Sequence, residues 1–407
     1  MRSPTCSIIM ATRNRSDVLL ANLGALSSAA EGLAEIVVVD NASDDGTAQA
    51  VTGRFPQVRL VELDHNCYAA ARNAGAETAR APYLVMLDDD SLIDRTSLQA
   101  IPAAFDLWPN LGAFGCLVSR ADHHAPGKQT LHTKTPPYET GGLPGVFIGC
   151  GAAIKRDVML DLGGYPEDYG YYGEEYDLCC RLWHAGQTVV WFDDIRVTHQ
   201  RAEGGRDADR MLRFLTRNNI RLWDRYAPER RRRAMIAQTV ERYARIARKE
   251  GAMVGYEHGL REGRDWINDG GAGRQPLSEQ RFRAMFGMNE AECVLTQHAR
   301  QLSLRRVALY GRGKGAEQVL ECLDDLRINV PTVIDPSGAG QTWHDRTVVS
   351  LDDADRGRPE AIVVGSLSPG AVRNLAAEAR RLFADLPVIE CVSPVTVDVA
   401  ELAGVTA

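Results

Sequence analysis

No apolar run in the 407 residues approaches the ~18 needed to cross a bilayer. The apolar run from Cys6 to Ala11 is also too short for the h-region of a signal peptide, so the chain is expected in the cytoplasm. Nine cysteines are scattered without a CxxC spacing, and only Cys179 and Cys180 adjoin, which argues against a zinc site and a disulfide framework and predicts reduced thiols. A net charge of −7 gives no basis for a nucleic-acid partner. The rest of the composition, 44% hydrophobic and 25% charged with 37 Gly and 18 Pro, is that of an ordinary globular protein long enough for two domains.

The negative charge is unevenly spread: residues 201–250 hold fifteen Lys/Arg against seven Asp/Glu. Such an Arg-rich segment fits either a solvated helical face or a peripheral contact with phosphates or an anionic membrane surface.

The most informative stretch is Tyr83-Leu84-Val85-Met86-Leu87-Asp88-Asp89-Asp90-Ser91, an apolar strand pattern ending in three consecutive carboxylates. Adjacent like charges repel, and a hard divalent cation with oxygen ligands, Mg²⁺ or Mn²⁺, removes the conflict. Three similar units precede it. Cys6–Ala11 leads into Thr12, Asn14 and Arg15; Glu35–Val39 into Asp40, Asn41 and Asp45; Val58–Leu63 into Asn66, Arg72 and Asn73. Strand, polar loop and helix in repetition predict a parallel α/β sheet, whose ligands bind at the carboxyl ends of the strands. Helix capping accounts for any one of these loops. Four in succession read as a nucleotide site, with a carboxylate for ribose or base, an arginine for phosphate and a metal for pyrophosphate.

The segments Ser-Ile-Ile-Met-Ala-Thr-Arg-Asn-Arg, Val-Val-Val-Asp-Asn-Ala-Ser-Asp-Asp-Gly-Thr, Ala-Ala-Ala-Arg-Asn-Ala-Gly and Leu-Asp-Asp-Asp, in this order, resemble the family 2 glycosyltransferases of GT-A fold over residues 6–226. The resemblance implies that Asp40 and Asp45 contact the nucleoside, that Arg72 serves the phosphates, and that Asp88 to Asp90 form the DxD motif with Asp90 as principal metal ligand. It implies a further metal ligand in His199, which ends the strand Ile195–His199. Downstream, Tyr171-Tyr172-Gly173-Glu174-Glu175-Tyr176-Asp177 resembles the family's acceptor-side segment. Glu175 matches the catalytic base by position, where the family more often has Asp; Glu174 and Asp177 remain candidates. Carboxylates at a helix start are also favoured by the helix dipole alone. Gly149, Cys150 and Gly151 allow either close approach of an acceptor to the backbone or tight packing. His123, His124 and His132 read as part of an acceptor-side loop, and Arg217-Asn218 as the segment that follows the catalytic core in this family.

From Pro228 to Gln301 the chain reads as helical, interrupted by Asn268–Gly273. A second domain starts near Arg305, where Gly311-Arg312-Gly313-Lys314-Gly315-Ala316 follows a strand and Asp335 stands 24 residues after Gly311. That is a dinucleotide fingerprint in a stretch with room for only one mononucleotide half, so packing, dimerisation and acceptor presentation compete with a cofactor site.

The expected fold is therefore α/β: a GT-A nucleotide-sugar-binding sheet in residues 1–227, a helical extension and linker in 228–303, and a small Rossmann-like parallel domain in 304–407. The expected function is inverting, metal-dependent hexosyl or deoxyhexosyl transfer from a UDP- or dTDP-sugar to a glycan, lipid-linked or small-molecule acceptor in polysaccharide assembly. Two alternatives are a non-catalytic scaffold that binds nucleotide sugars and a sugar-nucleotide pyrophosphorylase. The latter needs a Gly-rich loop after the first strand, where Met10–Arg15 has no glycine.

Overall fold

The computed structural model describes residues 3–121, 137–200, 207–271, 273–354, 358–392 and 395–404. His123, His124 and His132, and residues 201–206 of the Arg-rich stretch, lie outside the described residues. The chain divides into two compact units, one made of Met1–His132, Val146–Phe282 and Thr396–Ala407, the other of Thr133–Gly145 and Arg283–Val395.

In the first unit, β1 (Cys6–Thr12), α1 (Ser16–Ala30), β2 (Ala34–Asp40), α2 (Thr47–Arg54), β3 (Arg59–Glu62), α3 (Ala71–Thr78) and β4 (Tyr83–Asp88) follow one another. Next come β5 (Ser91–Ile93), α4 (Arg95–Asp106), β6 (Leu111–Arg120), β7 (Ala152–Lys155), α5 (Arg156–Asp161), α6 (Glu174–His184) and β8 (Thr188–His199). The eight strands form one sheet in the order β3-β2-β1-β4-β7-β6-β8-β5. The strands β1 to β4 run parallel, and Ile8, Ile9, Val37, Val38, Val39 and Leu84 to Leu87 are fully buried. Strands covered on both faces need apolar side chains at every position, which is why they read as unbroken hydrophobic runs. Each such side chain contributes about 1.5–3 kcal/mol by its burial.

The strand β7 reverses direction against β4 and β6, and β5 pairs antiparallel with the far end of β8, Ser91 opposite His199. That short pairing ties the acidic turn to a strand distant in sequence. Beyond the sheet, α7 (Ala208–Tyr226), α8 (Arg232–Glu250) and α9 (Met253–Asn268) enclose a cluster around Leu212, Tyr243, Ala247 and Tyr256. The helix α9 lies so close on α7 that a Cβ at Gly255 or Gly259 would stand 1.9 or 2.2 Å from a backbone carbonyl oxygen of Asp209 or Arg213. Among the described residues no helix is long and apolar enough to cross a membrane.

The chain leaves this unit through α10 (Glu279–Phe286). In the second unit, α11 (Met288–Leu302) precedes β9 (Arg306–Tyr310), α12 (Ala316–Asp325), β10 (Asn329–Ile334), β11 (Thr342–Trp343), β12 (Arg346–Val349), β13 (Ala361–Val364), α13 (Pro369–Leu382) and β14 (Val388–Ile389). Its sheet has the order β11-β12-β10-β9-β13-β14. Five strands run parallel, while β11 is antiparallel to β12, so the sheet is mixed where the sequence suggested a purely parallel one. The difference arises at His344 and Asp345, both in the left-handed region with φ of 46° and 60°, which close a two-residue hairpin that carries no glycine. The unit also takes in residues 137–145, although their sequence neighbours are β6 and β7. Asn374 binds Tyr138 reciprocally, its Oδ1 accepting from the backbone N–H at 2.8 Å and its Nδ2 donating to the carbonyl at 2.9 Å. The Ser368 hydroxyl donates to the Gly141 carbonyl at 2.6 Å. A last helix, α14 (Val399–Leu402), returns to the first unit.

Candidate active site

The site lies at the carboxyl ends of β1, β2 and β4. Because Ser91 pairs with His199, the residue before Ser91 is brought beside the imidazole: His199 Nε2 is 3.0 Å from Asp90 Oδ1 and 4.0 Å from Asp88 Oδ2. The Gln200 N–H donates to the Asp90 carbonyl at 2.8 Å and fixes this register. One ligand atom from each of Asp88, Asp90 and His199 falls within a 4.8 Å group, and Asp90 and His199 are buried. Two carboxylates and an imidazole suit Mg²⁺ or Mn²⁺, and nothing in the set calls for the thiolates of a softer metal.

The third aspartate has a different task. Asp89 accepts from the Thr12 hydroxyl at 2.8 Å and pairs with Arg15 at 2.9 Å. Burial pushes its carboxyl up to about 6 against the pull of Arg15. Arg15 also reaches Asp90 Oδ2 at 2.8 Å, so it holds two aspartates in place. The buried Arg72 does the same for Asp88 at 2.5 Å. Both arginines, of which the resemblance assigned Arg72 to the phosphates, thus stand in contact with the DxD carboxylates.

At the end of β2, buried Asp40 accepts from the Ser43 N–H at 3.1 Å. Asp45 accepts from the Thr47 hydroxyl and from the Ser16 and Thr47 N–H groups, which hold its carboxyl below the usual range. Asn14, at φ 53°, accepts from the Asp44 N–H. Asn41 donates to Asn66 Oδ1 and the Tyr68 carbonyl and accepts from the Cys67 N–H, so its amide shapes the turn after β3. Asn73 is likewise engaged, reciprocally, with the Tyr165 backbone.

The three acids at the start of α6 separate clearly. Asp177 is buried and saturated: Arg181 donates from Nε at 2.7 Å and from Nη2 at 2.6 Å, and the Tyr226 hydroxyl donates at 2.8 Å. Glu174 is buried with one carboxylate oxygen that has no hydrogen-bond partner, and burial first, then Glu175, raise its carboxyl well above the usual range. Glu175 is half-buried and accepts the Gly149 N–H at 3.2 Å. A Cβ at Gly149 would lie 3.1 Å from that same oxygen, so the glycine makes the approach of Glu175 to the backbone feasible. Gly151 is explained by packing, since its Cβ would stand 2.7 Å from Val118, and Cys150 between them is buried.

Sequence reasoning missed how the loop ahead of α6 is held. Asn218, fully buried, places its Nδ2 within 2.7–3.0 Å of the carbonyls of Tyr169, Tyr171 and Tyr172, and Arg217 donates to that of Tyr169 at 2.6 Å. The run of tyrosines between Gly164 and Gly173 was the available signal. The arginines of the Arg-rich stretch are largely engaged within the first unit: Arg213 with Glu262, Arg221 with Asp168, Arg225 with Asp177, Arg230 and Arg231 with Glu279, and Arg232 with Asp224.

In the second unit the fingerprint loop is closed on itself. The Gly313 N–H donates to the Gly365 carbonyl at 2.7 Å, the Leu367 N–H donates to the Lys314 carbonyl at 2.8 Å, and Arg312 Nε donates to Asp335 at 2.7 Å.

Residues 7–163 match the family described as glycosyl transferase family 2. The N-acetylglucosaminyl-diphospho-decaprenol L-rhamnosyltransferase of Mycobacterium tuberculosis H37Rv is 28% identical over 223 residues, covering 46% of this chain and 73% of that protein. The validoxylamine A glucosyltransferase of Streptomyces hygroscopicus subsp. jinggangensis is 33% identical over 108 residues, 25% of either chain. Among solved structures, a mannosyltransferase of Pyrobaculum calidifontis in complex with GDP-Man and Mn²⁺ aligns with a TM-score of 0.43 and 19% identity, over 74% of this chain and 83% of that one. With the family match over the strands that carry Asp40 and Asp88, and with a divalent-metal triad at their ends, the N-terminal region of this chain is a family 2 glycosyltransferase domain, a metal-dependent enzyme drawing on a nucleotide-sugar donor.

Proposed function

We propose that this domain transfers a hexosyl or deoxyhexosyl group from a UDP- or dTDP-sugar to an acceptor hydroxyl with inversion at the anomeric carbon. The observation that carries the reading is the sorting of the three acids of α6: only Glu175 is half-exposed, it has no arginine among the described residues paired on it as Arg181 is on Asp177, and its anchor on the Gly149 N–H leaves its second oxygen to take a proton. Glu175 removes the acceptor's proton as that oxygen forms a bond to the anomeric carbon, and the carbon–phosphate oxygen bond breaks with its electron pair leaving on the nucleoside diphosphate. A divalent ion held by Asp88, Asp90 and His199 would neutralise the charge that builds on this diphosphate. Arg15 and Arg72 keep the aspartates oriented, and Asp40 and Asp45 face the nucleoside. Displacement from the face opposite the diphosphate passes through an oxocarbenium-like transition state, by analogy with glycoside hydrolysis.

A lipid-linked acceptor in glycan assembly is supported by the rhamnosyltransferase relative, whose name places its acceptor on a diphospho-decaprenol. The Arg-rich helices favour the intramolecular reading over a bare cationic face, because their arginines hold acids of their own unit.

The deciding experiment is nucleoside diphosphate release from a panel of nucleotide sugars with Mn²⁺. Glu175→Gln is expected to lower transfer by about 10²–10⁴-fold, while nucleotide binding persists. Full transfer by that variant removes Glu175 from the mechanism; nucleotide binding without turnover by the wild type favours the scaffold reading.

A further inference from the structure

Four aromatic side chains of the first unit that the transfer step does not use gather beside its acid pair. The Tyr68 ring meets Tyr171 edge to face at 5.2 Å and 87°, and Phe214 at 6.0 Å and 63°. Tyr172 joins Tyr171 at 6.2 Å, and the Arg217 guanidinium stands 4.9 Å above Phe214. None of the four rings is buried, so the cluster is not core. Half-exposed aromatic rings gathered in one patch mark a surface for a ligand more often than chance does.

The backbone supports the same conclusion. Tyr68 and Tyr172 have φ of 55° and 68°, a region that costs a bulky residue about 1–3 kcal/mol and persists only where neighbours enforce it. Here they do. Asn218 grips the carbonyls of Tyr169, Tyr171 and Tyr172, and the Ala69 N–H donates to the Gly170 carbonyl at 3.2 Å, locking the two aromatic segments together. The Tyr171 phenol lies in the field of Arg72, Asp88 and Asp89, so the patch borders the donor wall, and Glu175 follows Tyr171 by one turn of chain.

We propose that Tyr171, backed by Tyr68 and Phe214, is a stacking shelf for a pyranose ring of the acceptor, receiving the ring face that carries C–H groups while Glu175 serves a hydroxyl. This rests on the glycosyl-transfer reading. A flat aromatic face gives the sugar's apolar side a site without fixing its hydroxyl pattern, so the shelf sets orientation and Glu175 sets the reacting atom.

Saturation-transfer NMR tests it on the full chain with Mg²⁺ and saturating UDP, dTDP or GDP, whichever binds, using methyl β-D-glucoside, methyl α-L-rhamnoside and methyl N-acetyl-β-D-glucosaminide as probes. The wild type should transfer saturation to ring C–H protons of at least one glycoside. Tyr171→Ala should weaken that signal by about tenfold, Tyr171→Phe should keep it, and the nucleoside diphosphate Kd should stay within about twofold in both. A matching thermal midpoint for Tyr171→Phe and the wild type guards against misfolding. A drop in nucleotide affinity in Tyr171→Ala would show that the ring stacks a base, and would overturn the proposal. So would an undiminished glycoside signal in that variant, or no glycoside signal in a wild type that binds nucleotide. A wild type that binds no nucleoside diphosphate fails the donor-site reading itself, and the shelf falls with it.

Discussion

In the first unit the loop after β4 brings carboxylates of its own and a histidine from β8 to within ligand distance of one another, and Arg15 and Arg72 hold them there. In the second unit the loop after β9 turns its glycines onto a neighbouring loop: a Cβ at Gly315 would stand 2.8 Å from Leu367, and Asp335 is held by Arg312 and by the Ser337 N–H and hydroxyl. Both are carboxyl ends of parallel strands followed by a helix, the usual place for a ligand. The difference is in what satisfies the polar groups. At the first edge, acids crowd beyond what their arginines neutralise, and a cation completes the set; at the second, the one carboxylate is matched by one arginine and by the Ser337 hydroxyl and N–H. A motif therefore identifies a position in a fold, and the local inventory of partners decides whether a ligand is needed there.

The largest contrast should appear in turnover. Asp90→Ala is expected to lower nucleoside diphosphate release by about 10²–10³-fold or more, and a chelator should reproduce the loss in the wild type. Asp335→Ala should leave the rate nearly unchanged; a comparable fall would place the second edge in the chemistry. In stability the contrast reverses. Arg312→Ala leaves buried Asp335 without its cation and should cost about 3–5 kcal/mol, read from chemical denaturation of the second unit. NAD⁺ should add no stability there, whereas a ligand at 100 times its Kd would add about 2.7 kcal/mol.

The smallest effect is a difference of sign. Glu174 is raised by burial, so the folded state holds its proton longer than the unfolded chain, and stability falls as pH climbs above the unfolded value of about 4.3. Glu174→Gln should therefore gain on the wild type from pH 4 to pH 8. Burial also pushes Asp335 upward, but Ser337 and Arg312 more than reverse it and lower its carboxyl. Its contribution is present above an unfolded value of about 3.9 and is lost as pH falls below it. Asp335→Asn should lose most at pH 7 and least near pH 3. Denaturation midpoints across pH for the two variants check both slopes, and parallel slopes would erase the distinction between the edges.

What was legible in the sequence follows the same division. The strands β1, β2 and β4 could be read because burial on both faces leaves continuous apolar runs, and the metal-binding turn because charges end one of them. The place of His199 beside Asp90 came through family resemblance; its physical cause, the antiparallel pairing of β5 with the end of β8, involves three residues too short to read alone. The roles of the acids in α6 were not separable, because Asp177 is engaged in part by the Tyr226 hydroxyl, 49 residues away, a partnership that only packing creates. The contacts of Arg15 and Arg72 with the DxD carboxylates were hidden for the same reason. The fingerprint of the second unit was visible, but the Arg312 to Asp335 bond that closes it depends on a loop path that spacing does not encode.

The segment 137–145 bears on how the protein is made. Tyr138 and the Asn374 that binds it on both sides are separated by 236 residues. At a synthesis rate of about 5–20 residues per second, roughly 10–50 s pass between the emergence of the two. During that interval β1 to β4 can pair, since every strand of that set is already present, while the segment between β6 and β7 has no partner to fold against. The second unit is then completed only after Asn374 has been synthesised, and contacts of such high sequence separation belong to the slow end of the folding spectrum.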